Sequence, residues 1–418
     1  MRVQRLVTIL VLLALMLPAS PARAAGVVGI CDETHLRAAL AGGGTVTFSC
    51  SGAITLTAPI TIATDSTVDG SGQSVILSGN HVVRVFTVNA GIALNLNKLT
   101  IANGNAGYDD GGGIANFGTL TVSNSSFTGN TAGDGGGIYN DSGELTVTSG
   151  TFGDNSAHSG GGIENGGTAT ISNCTFTGNS GSGGGIENYG TAIASNNAFT
   201  GNNANASGGG ISNYSVMIVI NSTFFGNSVQ RGGGGIFNSD GGTMTVINST
   251  LSGNSAGRYI ISGGGGILNS AGGTLTVINS TFFANSATSG RAIRNDDGTV
   301  TLKNTSVADT WGGGNCAGNS ITNGGGNLSY PDTTCPSINR DPALGPLQNN
   351  GGPTQTMALG SGSAAIDAAN DAICADAPVN NRDQRGIPRP YGPHCDIGAY
   401  EATLRPMTRA AFLPNITR

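Results

Sequence analysis

GGGIENGGTATISNCTFTGNSGSGGGIENYG, residues Gly160 to Gly190, carries the hexapeptide GGGIEN twice, 23 residues apart. The same frame extends in both directions. GGGI begins at Gly111, Gly135, Gly160, Gly183, Gly208, Gly233 and Gly264, in steps of 24, 25, 23, 25, 25 and 31 residues. A degenerate copy, RAIRN, follows at Arg291–Asn295. A fixed period of this length marks an architecture in which each unit buries its apolar face only against its neighbours.

Every copy has the same interior: GGGI-x-N, a turn, a short strand, then F-x-x-N. The strands read LTVSN, LTVTS, ATISN, AIASN, MIVIN, MTVIN and LTVIN, apolar at every second position. Three short strands and three turns suit one coil of a parallel β-helix, with the next coil hydrogen-bonded roughly 4.8 Å above. Aligned positions then stack as ladders. Ile114, Ile138, Ile163, Ile186, Ile211, Ile236 and Ile267 form one apolar column, and Phe127, Phe152, Phe176, Phe199, Phe224, Leu251 and Phe282 a second. Asn116, Asn140, Asn165, Asn188, Asn213, Asn238 and Asn269 form a polar column whose amides can bond one another. Asn130, Asn155, Asn179, Asn202, Asn227, Asn254 and Asn285 form another.

Composition agrees with a stacked fold. The 418 residues include 71 glycines, about one in six, against a usual share of roughly 7%. With 10% charged and 5% aromatic residues, stability must come from backbone pairing and regular stacking of small side chains. Met1 to Ala24 reads as a secretory signal peptide: Arg2 and Arg5, the apolar run LVTILVLLALML, then Ala22-Arg23-Ala24 as the cleavage site. The run is too short for a membrane span. Loss of Arg2, Arg5 and Arg23 with the leader leaves 15 basic against 24 acidic residues, a net charge of −9. That charge disfavours nucleic acid and anionic membranes as partners. No transmembrane segment is expected in the mature chain.

Seven cysteines in an exported chain point to disulfides. Cys31 with Cys50, Cys316 with Cys335 and Cys374 with Cys395 are the neighbour pairs, leaving Cys174 inside the repeats as a small substitute for Ser, Gly or Asn.

GGGI followed by F-x-x-N at this spacing, from about Gly111 to Asn295, resembles the repeat of chlamydial-type polymorphic outer-membrane proteins, which are right-handed parallel β-helices. CDETHLRAALAGGGTVTFSCSGAITLTAPITIATDSTVDGSG (Cys31 to Gly72) resembles the opening of bacterial β-helix proteins, where a short helix plugs the first coil; here it would run from about Asp32 to Ala41. DPALGPLQNNGGPTQTMAL, AAID and DQRGIPRPYGPHCDIGAYE, between Asp341 and Glu401, resemble the choice-of-anchor Q region of bacterial surface proteins. The expected fold is all-β: a single-stranded right-handed parallel β-helix (solenoid) with a short N-terminal capping helix and an irregular, disulfide-tied C-terminal cap. The expected organisation is a signal peptide over 1–24, cap and first coils over 25–110, repeats over 111–310, a tapering end and cap over 311–401, and a tail over 402–418. The outer-membrane barrel of the polymorphic proteins has no counterpart in the sequence, and nothing after Glu401 reads as an LPxTG-like signal or apolar anchor. The basic tail reads equally as a sorting signal or a frayed end.

Chemistry is sparse. The residue between Ile and Asn is Ala115, Tyr139, Glu164, Glu187, Ser212, Phe237 or Leu268, and strand alternation points it outward. Glu164 and Glu187 are therefore expected on adjacent coils as an exposed carboxylate pair, at a repulsion on the order of 1 kcal/mol in water. Such a pair has the spacing of a retaining glycosidase. The repeats, however, hold only Arg231, Arg258 and His158 as basic companions. Surface decoration is the preferred reading, with Glu164 and Glu187 as the only candidate ligand or catalytic residues. Asp383, Arg385 and Asp396 read as ion pairs within the cap. The calcium nonapeptide and nucleotide-loop patterns are missing, so no metal and no cofactor is expected. The functional expectation is non-enzymatic adhesion or recognition of glycans or other surface molecules. A polysaccharide-active enzyme and a passive envelope component are the alternatives, and oligomeric state stays open.

Overall fold

The computed structural model describes residues 26–257, 263–308 and 314–403. The leader, Arg258 and the basic tail beyond residue 403 lie outside the described residues. The chain winds as a right-handed parallel β-helix. Each repeat contributes in turn to an 11-stranded first sheet (Ile-x-Asn segments), a 13-stranded second sheet (the longest strands) and a 13-stranded third sheet (the Phe segments). A fourth strand per coil was not expected. It forms a six-stranded sheet from Thr131–Asp134 to Ser255–Ala256, built from two- to four-residue segments of mostly small or polar residues, too short to show hydrophobic alternation. Pairing is in register throughout: Ile163, Glu164 and Asn165 lie opposite Ile186, Glu187 and Asn188. Stacking also continues past residue 310, to Leu328–Tyr330 and Ile338–Asn339.

One apolar core runs the length of the solenoid, from Val28 to Cys335. The phenylalanine rings stack at centroid spacings of 4.9, 4.8, 4.8 and 4.6 Å from Phe127 to Phe224. In the first asparagine ladder Asn140 Nδ2 donates to Asn165 Oδ1 and Asn165 Nδ2 to Asn188 Oδ1, both at 2.7 Å. Asn165 Nδ2 also donates to Gly167 O at 3.1 Å. In the second ladder Asn155 Nδ2 donates to Asn179 Oδ1 and to Phe127 O. Both ladders are fully buried, so these bonds replace the water that each amide would otherwise require.

The glycine triplets have two jobs. Gly160 has φ +57°, and a Cβ there would lie 2.8 Å from the Cβ of Glu164. A Cβ on Gly162 would lie 2.5 Å from the carbonyl oxygen of Gly185 on the next coil. The turn therefore closes tightly over the side chain four residues on.

At the N-terminal end, helix Glu33–Leu40 covers the first coil through Leu36, with the Asp32 side chain accepting the His35 amide at 2.8 Å as N-cap. Disulfides join Cys31 to Cys50, Cys316 to Cys335 and Cys374 to Cys395. Cys174 is a buried free thiol, pushed up to about 11 by burial, with Gly150 N–H donating to its sulfur at 3.3 Å.

The C-terminal region is irregular and disulfide-tied, as expected, and it divides into two parts. The last coil is closed by the Cys316–Cys335 loop, where Asp332 Oδ2 and Thr334 Oγ1 accept the amides of Asn315 and Cys316 at 2.9 Å. Residues beyond 340 instead run back along the flank of the solenoid. Thr354 Oγ1 donates to Asn221 O at 2.8 Å, Thr250 Oγ1 to Gln384 Oε1 at 2.7 Å, and Asn304 Nδ2 to Asn370 O at 3.0 Å. Four successive coils, from Asn221 to Asn304, thus offer polar groups that bond the strap.

Within the strap, Asp383, Arg385 and Asp396 are interior groups. Arg385 Nη2 pairs with Asp383 Oδ2 at 2.7 Å and the guanidinium lies 3.6 Å over the Tyr400 ring. Asp396 accepts the amides of Asp367 and Ala402 at 2.7 and 2.6 Å.

Candidate functional site

The first sheet positions both glutamates, and the structure corrects their expected exposure. Glu164 is 8% exposed and Glu187 1%. Alternation does turn them away from the lumen, but the glycine turn folds over them, so facing outward is not facing water.

Glu187 has a structural task. In earlier coils the first glycine amide bonds the carbonyl preceding the next triplet: Gly111 to Asp134 O at 2.7 Å and Gly135 to Ser159 O at 2.9 Å. The coil from Gly160 to Gly183 is the shortest, and its fourth-sheet strand shrinks to Ser180–Gly181. Glu187 Oε2 fills the gap, accepting from Gly160 N at 2.8 Å and Gly183 N at 3.0 Å, while Tyr189 OH donates to Oε1 at 2.9 Å. One coil on, Ser212 Oγ accepts the Gly208 amide at 2.8 Å. Burial raises the Glu187 carboxyl, opposed by these three donors.

Glu164 occupies the corresponding place one coil earlier, where the Gly135 amide is already taken by Ser159 O. Its Oε2 is buried without a hydrogen-bond partner. Burial first, then the negative charges of Asp134, Glu187 and Asp110, push the carboxyl up to about 9, so it is neutral at pH 7.

Around the pair lies a strip that sequence reading missed. Asp110 and Asp134 each immediately precede a glycine triplet, a signal that was available. Asp110 is itself raised by burial and by Asp134, against the pull of Arg84. Tyr139 OH donates to Asp141 Oδ1 at 3.3 Å. Tyr189 and Tyr214 stack at 4.8 Å with planes 8° apart, and Phe237 meets Tyr214 edge-on at 6.0 Å. Tyr189 is 47% exposed. His158 lies exposed on the fourth sheet, in strand Ser156–Ser159.

Fold and site together define a right-handed parallel β-helix protein with an acidic, aromatic strip on its wall. The family model described as a right-handed beta helix region matches residues 138–328. No curated protein matches the sequence. Among solved structures, the chain is similar to the crystal structure of pectate lyase Pel9A, at 14% identity over 88% of this chain and 90% of that chain, with a TM-score of 0.42. Among the described residues, no helix is long and apolar enough to cross a membrane.

Proposed function

We propose that this is an exported, surface-exposed β-helix protein whose wall recognises glycans without cleaving them. The observation that carries the reading is the half-exposed Tyr189–Tyr214 stack, continued by Phe237, beside the acidic side chains of the same wall. Aromatic faces repeated at coil spacing offer successive platforms for sugar rings, and repeated weak contacts add up by multivalency. The leader, the three disulfides and the likeness to polymorphic-protein repeats and choice-of-anchor Q regions support a location outside the cytoplasm.

A polysaccharide-active enzyme is the second reading, favoured by a neutral Glu164 beside Glu187 on the next coil. Acid–base hydrolysis needs both carboxyls to reach the substrate. Glu187 is 1% exposed and held by three donors, which favours recognition. Incubating the purified mature chain with a broad glycan panel tests both. Retention without new reducing ends is expected; release of reducing ends that is lost in Glu164→Gln would establish the enzyme instead. Retention of no glycan would leave a passive envelope component.

A further inference from the structure

The strip is acidic beyond what its own residues balance. Asp110, Asp134, Asp141, Glu164 and Glu187 act on one another or on the tyrosines between them. The guanidinium facing them, that of Arg84, is committed to Gly111 O at 2.9 Å, Thr87 Oγ1 at 3.2 Å and Asp110 O. Within this strip Glu164 Oε2 is the anomaly: it belongs to a side chain more than nine-tenths buried and has no partner. Once the carboxyl ionises, a buried oxygen left unpaired calls for a donor, and the corresponding amides of Gly135 and Gly160 are already taken by Ser159 O and Glu187 Oε2.

The donor's chemistry follows from the surroundings. Carboxyls beside tyrosine rings favour a cation, through charge-assisted hydrogen bonds and cation–π contact. Among the described residues no three carboxylate, histidine or cysteine side chains converge as a metal cage. The carboxyls are instead strung along the solenoid axis, coil by coil, at steps of roughly 4.8 Å. A 1,4-linked pyranose chain advances by a similar length per sugar. We propose that the strip from Asp110 to Tyr214 binds a polycationic glycan, a chain of hexosamine units bearing free amino groups, with ammoniums on the carboxyls of Asp110, Asp134 and Glu164 and ring faces on Tyr189 and Tyr214. This rests on the glycan-recognition reading and narrows it to one substrate class. It also opposes a polyanionic ligand, which the strip's charge repels.

The test is calorimetric titration of the mature protein with an oligomer of β-1,4-linked glucosamine and, separately, its fully N-acetylated counterpart of equal length. The free-amine oligomer should bind at least about tenfold more tightly and lose affinity as salt is added. Binding should release a proton from Glu164, so that the measured heat varies with the ionisation enthalpy of the buffer. Glu164→Gln should abolish that proton release, and Glu164→Gln with Asp134→Asn should weaken binding by about tenfold or more. The salt and buffer arms need no variant, so a misfolded double mutant does not disarm the test. Equal affinity for both oligomers, or for a linear polyamine without sugar rings, overturns the proposal while leaving glycan recognition standing. Failure of both oligomers and of every other glycan in the panel overturns both readings.

Discussion

Glu187 Oε2 accepts the backbone amide of Gly160, 27 residues earlier in the chain, at 2.8 Å. The bond crosses from one coil to the next and repairs a gap that a shortened coil leaves in the ladder. Glu187→Ala orphans that amide and the amide of Gly183, at a cost of about 1–3 kcal/mol for each buried donor. Denaturant unfolding should show this loss. Glu164→Ala, which orphans no amide, should cost less. Equal losses at the two positions would contradict the assignment.

Glu164 makes stability fall as pH rises. Its carboxyl is held at about 9 in the folded chain against an ordinary 4.5, so the native state keeps a proton that the unfolded state gives up. The contribution is complete below the unfolded value and is lost as pH climbs to the folded one. Glu401, raised to about 7 chiefly by burial, acts in the same sense over a lower window. Melting temperature should therefore drop between neutral pH and pH 9, and Glu164→Gln should flatten that drop. An unchanged slope in the variant would remove Glu164 as its origin.

Phe176 stacks between Phe152 and Phe199 at 4.8 Å on either side. Phe176→Ala should cost about 3–5 kcal/mol. Asn165→Ala breaks the ladder on both faces and should cost about 1–3 kcal/mol. Near-zero effects on unfolding for both would show that the ladders are not what holds the coils together.

Gln384 is fully buried and joins the strap to two coils, through Thr250 Oγ1 at 2.7 Å and Thr223 Oγ1 at 2.9 Å. Gln384→Ala should loosen the strap before the solenoid. Limited proteolysis should then cut between residues 340 and 403 while leaving the coils intact, and a variant as resistant as the parent would show that the strap is held elsewhere.

Much of the fold was legible because a solenoid writes its geometry as periodicity. GGGI and F-x-x-N place the Ile, Phe and Asn ladders, and Asp32 before an apolar-periodic stretch marks the capping helix. The site was only half legible. Glu164 and Glu187 stood out as a repeated pair, but alternation along a strand records direction, not cover, and the glycine turn that folds over them has no side chains to announce it. Asp110 and Asp134 were overlooked because each belongs by spacing to the turn before the strand. The fourth strand hid in short segments of mostly small or polar residues without alternation. The strap left no periodic trace, since Thr250 and Gln384 meet across 134 residues by side-chain chemistry that occurs once.

The strap has a mechanical consequence. A stack of coils ordinarily loosens rung by rung, since each rung is held mainly by its neighbours. Here the last rungs are lashed together from Asn221 to Asn304, and the first is pinned by a helix and a disulfide. The rungs between Phe86 and Asn213 carry neither fastening. The molecule is thus stiff at both poles and yields most readily at its waist. The acidic strip lies along that waist, on the stretch expected to part first under load.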